Sequence, residues 1–319
     1  WRPRRRRGGR AEAGTLAGFD AHAFGRLLWR GRRARLRRSR DGLPGGFVET
    51  GLADVRVLDV PGPAADAPTL VIVPDPPNVV EHCLPMVEAF APRARVVVFE
   101  LPGFGHSYPE AGYRFDIASQ ADAFERLFER LDIRDAVLDM SCLGAYMGLQ
   151  FARTYPHRVR RLVLQQVPAF HEAQAWARRA DVGGLIRTPW VGQLLMRGLY
   201  RVVANHWYHA ALPEGHTAQR HAEYADPTFA ALDRGGCFCL ADAYQRLLAQ
   251  RGLPLDGLTQ PVSVVWGGAD RTHALTSPAS VLQDLPNAEF VAFADCGHFP
   301  ALEAPERYYP LVHRALDDA

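Results

Sequence analysis

Asp135-Ala-Val-Leu-Asp-Met-Ser-Cys-Leu-Gly-Ala-Tyr-Met-Gly-Leu-Gln-Phe-Ala152 is the stretch of sequence that decides the fold. Its first part, Ala136 to Leu138, is a short apolar run typical of a buried strand, and from Leu143 small and apolar residues recur at helical spacing as far as Phe151. The chain must therefore pass from strand to helix within about two residues. Only a sharp turn allows this passage, and such a turn exposes the side chain at its apex above the end of the strand.

This turn resembles the nucleophile elbow of the α/β-hydrolase superfamily, whose usual pattern is Gly-x-Ser-x-Gly followed by a helix of small residues. Matching the helix at Leu149 to Ala152 places Cys142 at the nucleophile position. Gly144 fits the small residue of the pattern, whereas Met140 stands where glycine is usual. Ser141 is the alternative nucleophile if the alignment shifts by one residue.

Two later loops resemble the loops that carry the acid and the histidine of the superfamily's catalytic triad. Trp266-Gly-Gly-Ala-Asp270 is similar to a Trp-Gly-x-x-Asp loop, and Gly297-His-Phe-Pro-Ala-Leu-Glu303 is similar to a Gly-His-x-Pro-x-x-Glu loop. Nucleophile, acid and histidine follow one another in the chain order of this fold. The resemblance therefore implies a triad of Cys142, Asp270 and His298.

A thiol beside a histidinium and at a helix N-terminus has a pKa of roughly 3.5 to 7.5. On this basis we expect a resting thiolate at Cys142 that attacks a carbonyl and forms an acyl-enzyme. The acyl group would then pass to water or to another acceptor.

The loop after the predicted third strand departs from the superfamily, which places His-Gly-x there and uses the amide after the glycine as an oxyanion donor. Here the run is Val73-Pro-Asp-Pro-Pro-Asn78, and Pro76, which has no N–H, takes the donor position. Losing one such donor costs about 2.7 to 4 kcal/mol of transition-state stabilisation. The Leu143 amide is expected to serve as one donor, and Asn78 is a substitute for the other within the loop that also holds Asp75. If Asn78 does not replace the missing donor, ester hydrolysis is not the main reaction.

The remaining elements alternate between strands and helices, which predicts an α/β fold with a mostly parallel eight-stranded sheet and helices on both faces. Apolar runs predict strands, and helical spacing predicts helices over 79–90, 120–131 and from about Glu303 onward. The predicted strands are 55–60, 70–73, 96–99, 136–138, 163–164, 261–266 and 289–292. Together with the loops above, this pattern indicates the α/β-hydrolase fold.

Four segments are predicted from changes in composition. Residues 1–46 form a basic leader, partly disordered, with an amphipathic helix possible over 19–40. Residues 47–166 and 258–319 form the two parts of the hydrolase core, and the aromatic-rich stretch 167–257 forms an inserted helical cap. The substrate is predicted to be a small molecule with an apolar or aromatic acyl group. The residues predicted to line its pocket are Ser141, Trp176, Trp190, Trp207 and Phe299.

Composition excludes several classes of function. The first 40 residues hold 14 of the 37 basic residues but only two of the 35 acidic ones, so the rest of the chain is acidic and nucleic acid is not the expected partner. No apolar stretch approaches the roughly 18 residues of a membrane span. Five cysteines without a secretory segment indicate reduced thiols in the cytoplasm.

Neither a metal nor a cofactor is expected. Cys237 and Cys239 have no second matched pair and are predicted to pack within the cap. His106 is predicted to be a surface or loop residue, and Cys296 is either inert or redox-coupled to Cys142.

The sequence thus predicts an α/β-hydrolase-fold enzyme that uses a Cys-His-Asp triad for hydrolysis or acyl transfer of an ester, lactone or thioester. The alternative is a hydrolase-fold protein without this activity, either a binder of hydrophobic small molecules or a cyclase or lyase that forms or breaks carbon–carbon bonds. The departures at Pro76 and Met140 motivate the alternative.

Overall fold

The computed structural model describes residues 42–110 and 113–317. The amphipathic helix predicted over 19–40 lies outside these residues. Among the described residues, no helix is both long and apolar enough to cross a lipid bilayer.

The described chain alternates between strands and helices as the sequence predicts. The strands are β1 Gly46–Glu49, β2 Ala53–Val60, β3 Thr69–Val73, β4 Arg95–Phe99, β5 Phe104–Gly105, β6 Tyr108–Pro109, β7 Ala136–Ser141, β8 Val159–Gln165, β9 Cys237–Phe238, β10 Val262–Gly267 and β11 Glu289–Phe293. The helices are α1 Leu84–Phe90, α2 Ile117–Arg130, α3 Cys142–Thr154, α4 Phe170–Ala180, α5 Val191–Ala211, α6 Ala218–Asp233, α7 Leu240–Ala249, α8 Pro300–Glu303 and α9 Pro305–Asp317. Short 3₁₀ turns occur at Val80–Cys83, Pro156–Arg158, Val182–Gly184, Arg271–His273 and Pro278–Gln283.

Eight strands form the main path of the sheet, in the order β1-β2-β4-β3-β7-β8-β10-β11, and the short β6 pairs with β2. The pairs from β4 through β3, β7, β8 and β10 to β11 are parallel, whereas β1, β2 and β4 pair antiparallel. The predicted mostly parallel eight-stranded α/β-hydrolase sheet is confirmed. β11 lies at one edge of this sheet, and four of its five residues are at least partly exposed.

The central strands are apolar along their whole length because both faces of the sheet are covered. On one face, Phe124 of α2 and Phe151 of α3 pack against alternate strand residues such as Leu138. On the other face, Phe90 of α1 and Tyr308 of α9 pack against the intervening strand residues. Helical periodicity in the sequence thus corresponds to the faces that these helices bury.

Four helices, α4 to α7, are inserted between β8 and β10 in the position predicted for the cap. The insertion also contains a strand that the sequence did not indicate. β9 pairs antiparallel with β5, so that Phe238 lies opposite Phe104 in the loop that follows β4. The amide of Cys239 donates to the carbonyl of Gly103 beside this pair. Backbone hydrogen bonds therefore connect the insertion to the core. We propose that residues 167–257 constitute the cap.

A buried ion-pair network stabilises the segment that follows β3. The guanidinium of Arg56 on β2 is fully buried and donates to Glu100 at 2.9 Å and to Glu81 at 2.8 and 3.0 Å. Glu100 also accepts hydrogen bonds from the amides of Val80 and His106. Burial raises the pKa of Glu100 to about 7, although Arg56 opposes this shift. The network connects the loop after β4 to the turn that follows the predicted oxyanion loop.

Candidate active site

The strand-to-helix turn has Cys142 at its apex. β7 continues to Ser141, which still pairs with Gln165 of β8, and α3 begins at Cys142. Cys142 has a φ of +48°, a left-handed backbone conformation that is strained for a residue with a side chain, whereas Ser141 is extended at −126°. The conformation of the elbow apex thus belongs to Cys142 and not to the alternative, Ser141.

Met140, which stands where the superfamily usually has glycine, is accommodated by small residues on α3. Its side chain is buried against Gly148, where an added Cβ would lie 2.5 Å from the Met140 sulfur. The same side chain approaches the Cβ position of Gly144 at 3.8 Å. Glycine at position 148 therefore leaves the space that the methionine sulfur fills below the elbow.

His298 and Asp270, the predicted histidine and acid of the triad, are hydrogen-bonded to each other. Nδ1 of His298 lies 2.6 Å from Oδ2 of Asp270, and both side chains are buried. Burial alone would raise the pKa of Asp270, but the charge and the hydrogen bond of His298 outweigh it and hold the pKa at about 2. Thr272 donates to Oδ1 of Asp270 through both its amide and its hydroxyl. Asp270 is therefore an ionised carboxylate that orients the histidine ring.

Glu303 positions the loop that carries His298. Its two carboxylate oxygens accept from the amides of Gly297 and Phe299, at 2.9 and 3.0 Å, and so bracket the histidine. The amide of His298 itself donates to the carbonyl of Ala211 at the end of α5. Both the core and the cap therefore contribute to the placement of the ring.

The far nitrogen of His298 contacts a second carboxyl group. Nε2 lies 3.0 Å from Oδ2 of Asp75, which is 5% exposed. Burial would lower the pKa of His298, but Asp270 first and then the hydrogen bonds with Asp75 and Cys142 raise it well above its usual value. The imidazole is therefore held between two carboxyl groups, one at each ring nitrogen.

The Cys142 thiol completes this cluster, because its sulfur, a nitrogen of His298 and a carboxyl oxygen of Asp75 all lie within 4.8 Å of one another. Burial and the negative charge of Asp75 raise the pKa of the thiol, and hydrogen bonds with His298 and the Leu143 amide only partly oppose this. The sequence predicted a lowered thiol pKa, so the direction is opposite to the prediction. The reason is first the burial of the thiol and second the charge of the nearby Asp75 carboxyl group.

The predicted oxyanion loop forms without a free amide at the donor position. The Pro76–Pro77 bond is cis, and Pro76 offers no N–H. The amide of Asn78, which was predicted as a substitute, donates to the Asp75 carbonyl at 2.8 Å. The Asn78 side-chain oxygen accepts from the Tyr208 hydroxyl at 2.7 Å. In this structure, Asn78 therefore fixes the loop and its amide is not directed at the reacting carbonyl.

Two of the predicted pocket residues contact the histidine directly. The rings of Trp207 and Phe299 lie 5.0 and 5.4 Å from the ring of His298, both edge to face. Trp176 is one ring further away, because it stacks on His273, which in turn stacks on His298 at 5.5 Å. Trp190 directly precedes α5, and its amide donates to the side chain of Gln193 at 2.8 Å. Its place in the pocket stays a prediction.

The sequence did not indicate two residues of the site. Gln166, directly after β8, donates to Oδ2 of Asp270 at 2.6 Å and accepts from the amide of Gly267 at 2.6 Å. Its place at the carboxyl end of a central strand, where ligands bind in such sheets, could have identified it. His273 is buried beside the triad, and burial lowers its pKa to about 4, so it is a neutral ring at pH 7. Only its proximity to Asp270 in the chain could have suggested it.

The other cysteines and His106 lie outside this cluster. Cys237 and Cys239 were predicted to pack within the cap, whereas both are buried against core residues such as Tyr113 and Phe115. All five cysteines are free thiols, and that of Cys296 lies 3.1 Å from the guanidinium of Arg307. His106 is in a loop as predicted, but it is fully buried rather than at the surface, because its amide binds the buried Glu100.

The donor atoms of two groups, Asp75–Cys142–His298 and Asp270–His273–His298, are close enough to surround a cation. In both groups a nitrogen of His298 is already hydrogen-bonded to a carboxyl group. We interpret both as proton-transfer sites. The arrangement can deprotonate a thiol, carry the proton on a histidine and return it to a leaving group.

Known proteins share this architecture. The family model described as the alpha/beta hydrolase fold matches residues 68–305. Two proteins named 2-hydroxy-6-oxononadienedioate/2-hydroxy-6-oxononatrienedioate hydrolase are similar to the chain. The one from Pseudomonas sp. is 26% identical over 245 residues and the one from Paraburkholderia phymatum is 28% identical over 238 residues, each covering 71% of this chain and 78% of the relative. A 2-hydroxymuconate semialdehyde hydrolase of Pseudomonas putida is 24% identical and covers 70% of this chain and 78% of the relative.

Solved structures agree with the fold. An epoxide hydrolase of Bacillus megaterium superposes with a TM-score of 0.67 at 17% identity, covering 85% of this chain and 99% of that one. An esterase of Thermogutta terrifontis superposes with a TM-score of 0.62 at 22% identity, covering 83% and 94%. At these identities the structural likeness concerns the fold alone.

Proposed function

The chain belongs to the α/β-hydrolase fold family, and from this premise we propose that it hydrolyses or transfers an acyl group through an acyl-cysteine intermediate on Cys142. One observation carries the proposal. Cys142 occupies the strained apex of the elbow beside His298, and the other nitrogen of that histidine binds an ionised Asp270 at 2.6 Å. A nucleophile, a base and a group that orients the base are the minimum set for covalent catalysis.

In the first half of the reaction, the thiol of Cys142 transfers its proton to Nε2 of His298, and the sulfur attacks the carbonyl carbon of the substrate. Asp270 stabilises the imidazolium through Nδ1. The tetrahedral intermediate collapses as the leaving alcohol or thiol takes the proton from Nε2, which leaves an acyl-cysteine. In the second half, His298 takes a proton from water or from another acceptor, which attacks the thioester and regenerates the thiol.

The surroundings of His298 support an apolar or aromatic acyl group. Trp207 and Phe299 flank the histidine ring, and Trp176 adds a further aromatic surface beyond His273. Apolar walls with few polar groups are typical of pockets for such ligands. Among esters, lactones and thioesters, we favour thioesters, because a thiol leaves the tetrahedral intermediate as readily as Cys142 does, whereas an alcohol is the poorer leaving group.

A second candidate is the hydrolysis of an unsaturated keto acid of the kind in the names of the relatives from Pseudomonas sp. and Paraburkholderia phymatum. Breaking a carbon–carbon bond leaves a carbanion that needs a proton. The Asp75 carboxyl beside His298 could supply that proton, since a positioned acid is the usual means of such a transfer. This candidate uses the same Cys142 nucleophile but a different substrate.

Intact-protein mass spectrometry after rapid acid quenching tests the proposal. The protein would be mixed with aromatic thioesters, nitrophenyl esters, lactones and a 2-hydroxy-6-oxo-dienoic acid, and any adduct located by peptide mapping. We expect an acyl adduct on Cys142 that is absent in Cys142→Ala and retained in Cys83→Ala, a buried cysteine in the opposite core cluster. Turnover by Cys142→Ala at the wild-type rate would reject the covalent mechanism. Tight reversible binding without any adduct would instead favour the non-catalytic binder.

A further inference from the structure

The loop after β3 has lost a hydrogen-bond donor and gained a carboxyl group. Pro76 stands at the position that should supply an amide to the developing oxyanion, and the amide of Asn78 is already bonded to the carbonyl of Asp75. Asp75 itself takes the place of the glycine in the His-Gly-x pattern of the superfamily. The side chain at this position therefore extends toward the reacting atoms, where a glycine would leave space.

We propose that Asp75 is a second catalytic group, a neutral carboxylic acid that donates its proton in a hydrogen bond to the carbonyl oxygen of the substrate in place of the missing amide. This inference rests on the proposed function, because it assigns a donor to the acyl-transfer step at Cys142. The geometry supports it, since a carboxyl oxygen of Asp75 lies 3.0 Å from His298 Nε2 and within 4.8 Å of the Cys142 sulfur. The oxygen of a carbonyl under attack by that sulfur would lie in the same space.

The charge of the site decides which form of Asp75 can act. A carboxylate would repel both the thiolate of Cys142 and the oxyanion, and Asp270 already supplies one buried negative charge next to His298. The ionisable groups that interact with Asp75 are Cys142, His298, Asp270 and the buried hydroxyls of Tyr208 and Tyr244. Burial raises the pKa of Asp75, and repulsion by Asp270 adds to this, although His298 opposes both. The net shift favours the neutral acid, and that is the form of Asp75 that can act as a donor.

The free site is then held inactive by an internal hydrogen bond. Without substrate, Nε2 of His298 is engaged in its hydrogen bond with the carboxyl of Asp75, so the histidine cannot accept the thiol proton. A substrate carbonyl that accepts the O–H of Asp75 releases Nε2, which then takes the proton of Cys142 as the C–S bond forms. When the intermediate collapses, the carbonyl is restored, Asp75 keeps its proton and the leaving group departs with the proton from His298. The balance of protons and electrons needs no further reactant.

Asp75→Asn and Asp75→Ala distinguish this role from a structural one, because asparagine keeps a donor of the same size and alanine does not. The measurement is the single-turnover rate of acyl-Cys142 formation from an aromatic thioester between pH 5 and 9, with Asp59→Asn, an ion-paired residue on β2, as the control. We expect the rate of Asp75→Ala to fall by about 10²–10³-fold and that of Asp75→Asn by much less. In the wild type the rate should fall as Asp75 ionises at rising pH, and Asp75→Asn should lose that fall.

Thermal unfolding of the three variants shows whether each one folds, and the asparagine variant alone suffices for the comparison of pH profiles if the alanine variant does not. An adduct that forms in Asp75→Ala at the wild-type rate, or a fall at high pH that persists in Asp75→Asn, overturns the inference and leaves the proposed function intact. A wild type that forms no adduct on Cys142 with any acyl donor overturns both.

Discussion

Oδ2 of Asp75 lies 3.0 Å from Nε2 of His298, on the side of the ring opposite to Asp270, which contacts Nδ1 at 2.6 Å. The nitrogen that should accept the thiol proton is therefore already engaged. Burial is the main reason that the pKa of Cys142 is raised, and Asp75 adds to it because its negative charge repels a thiolate. The contact between Asp75 and His298 also distinguishes this site from a simple nucleophile–histidine pair.

Removing the carboxyl group of Asp75 should make the thiol easier to ionise at alkaline pH, where Asp75 is ionised and its charge opposes a thiolate. In Asp75→Asn and Asp75→Ala, we expect the pH dependence of iodoacetamide alkylation at Cys142 to shift to lower pH, because the negative charge that raises the thiol pKa is gone. Peptide mapping of the alkylated cysteine gives the rate at each pH, and Cys296 in the same sample is the internal reference. An unchanged profile would mean that burial alone raises the pKa.

Asp270→Asn should slow the acylation of Cys142 strongly. An amide in place of the carboxylate can present N–H to Nδ1 and disturb the tautomer of His298, and such a change typically costs about 10⁴-fold in rate. Thr272→Val removes one hydrogen bond to Asp270 without altering its charge, so a loss of about 10-fold at most is expected. Single-turnover rates compare the two, and equal losses would show that Asp270 acts only as a structural anchor.

The packing below the elbow makes a prediction about stability. Gly148→Ala would place a Cβ 2.5 Å from the sulfur of Met140, and overpacking of this kind typically costs about 1–3 kcal/mol. Met140→Ala removes the obstructing atoms at the cost of a cavity, and the double variant should be more stable than the sum of the two single changes predicts. Urea unfolding gives the four free energies of the cycle. Additive effects would show that the two side chains do not compete for the same space.

Replacing the buried Arg56 should lower the free energy of unfolding, and the loss should depend on pH. Arg56→Met leaves Glu100 without its main charged partner, and breaking a buried pair typically costs about 3–5 kcal/mol. The pKa of Glu100 is already raised to about 7, above its unfolded value, so the folded state binds the proton more tightly. The free energy of unfolding therefore falls as the pH rises from the unfolded pKa to about 7. Loss of Arg56 should raise this pKa further, and the deficit should be larger at pH 8 than at pH 5.

Denaturant unfolding at the two pH values measures that difference. Arg134→Met is the control, because Arg134 forms an exposed ion pair with Asp132 and such pairs contribute little. If Arg56→Met lost the same free energy at both pH values, Glu100 would not be the group that Arg56 compensates.

Sequence patterns were sufficient to predict the architecture and the proximity of Cys142, Asp270 and His298, because both follow from local sequence signals. Cys142 follows its strand directly, and Asp270 and His298 lie in loops after their strands that resemble the superfamily's triad loops. Parallel strands bring their carboxyl ends to one edge. The hydrogen bonds of Gln166 and Thr272 to Asp270 were not predicted. They depend on side-chain directions in loops that are far apart in the chain or that turn sharply.

Asp75 shows most clearly why the remainder could not be predicted. The sequence predicted that Asp75 lies in the oxyanion loop and that Pro76 lacks the N–H of a donor. The side chain's approach to His298 joins residues 223 positions apart and depends on how the proline-rich loop turns. The predicted direction of the thiol pKa was wrong because the local features of the elbow favour a thiolate, whereas burial of the thiol and then the charge of Asp75 oppose it.

The position of β11 at the edge of the sheet affects how the enzyme would lose activity. The loop of His298 follows this partly exposed strand, whereas Asp75 and Cys142 follow the neighbouring central strands β3 and β7. Edge elements with few buried contacts open at a lower free energy than the core of the same molecule. Partial opening at this edge would withdraw the base while the nucleophile stayed in its turn. Inactivation by mild denaturant would therefore precede global unfolding, and it would be reversible on dilution.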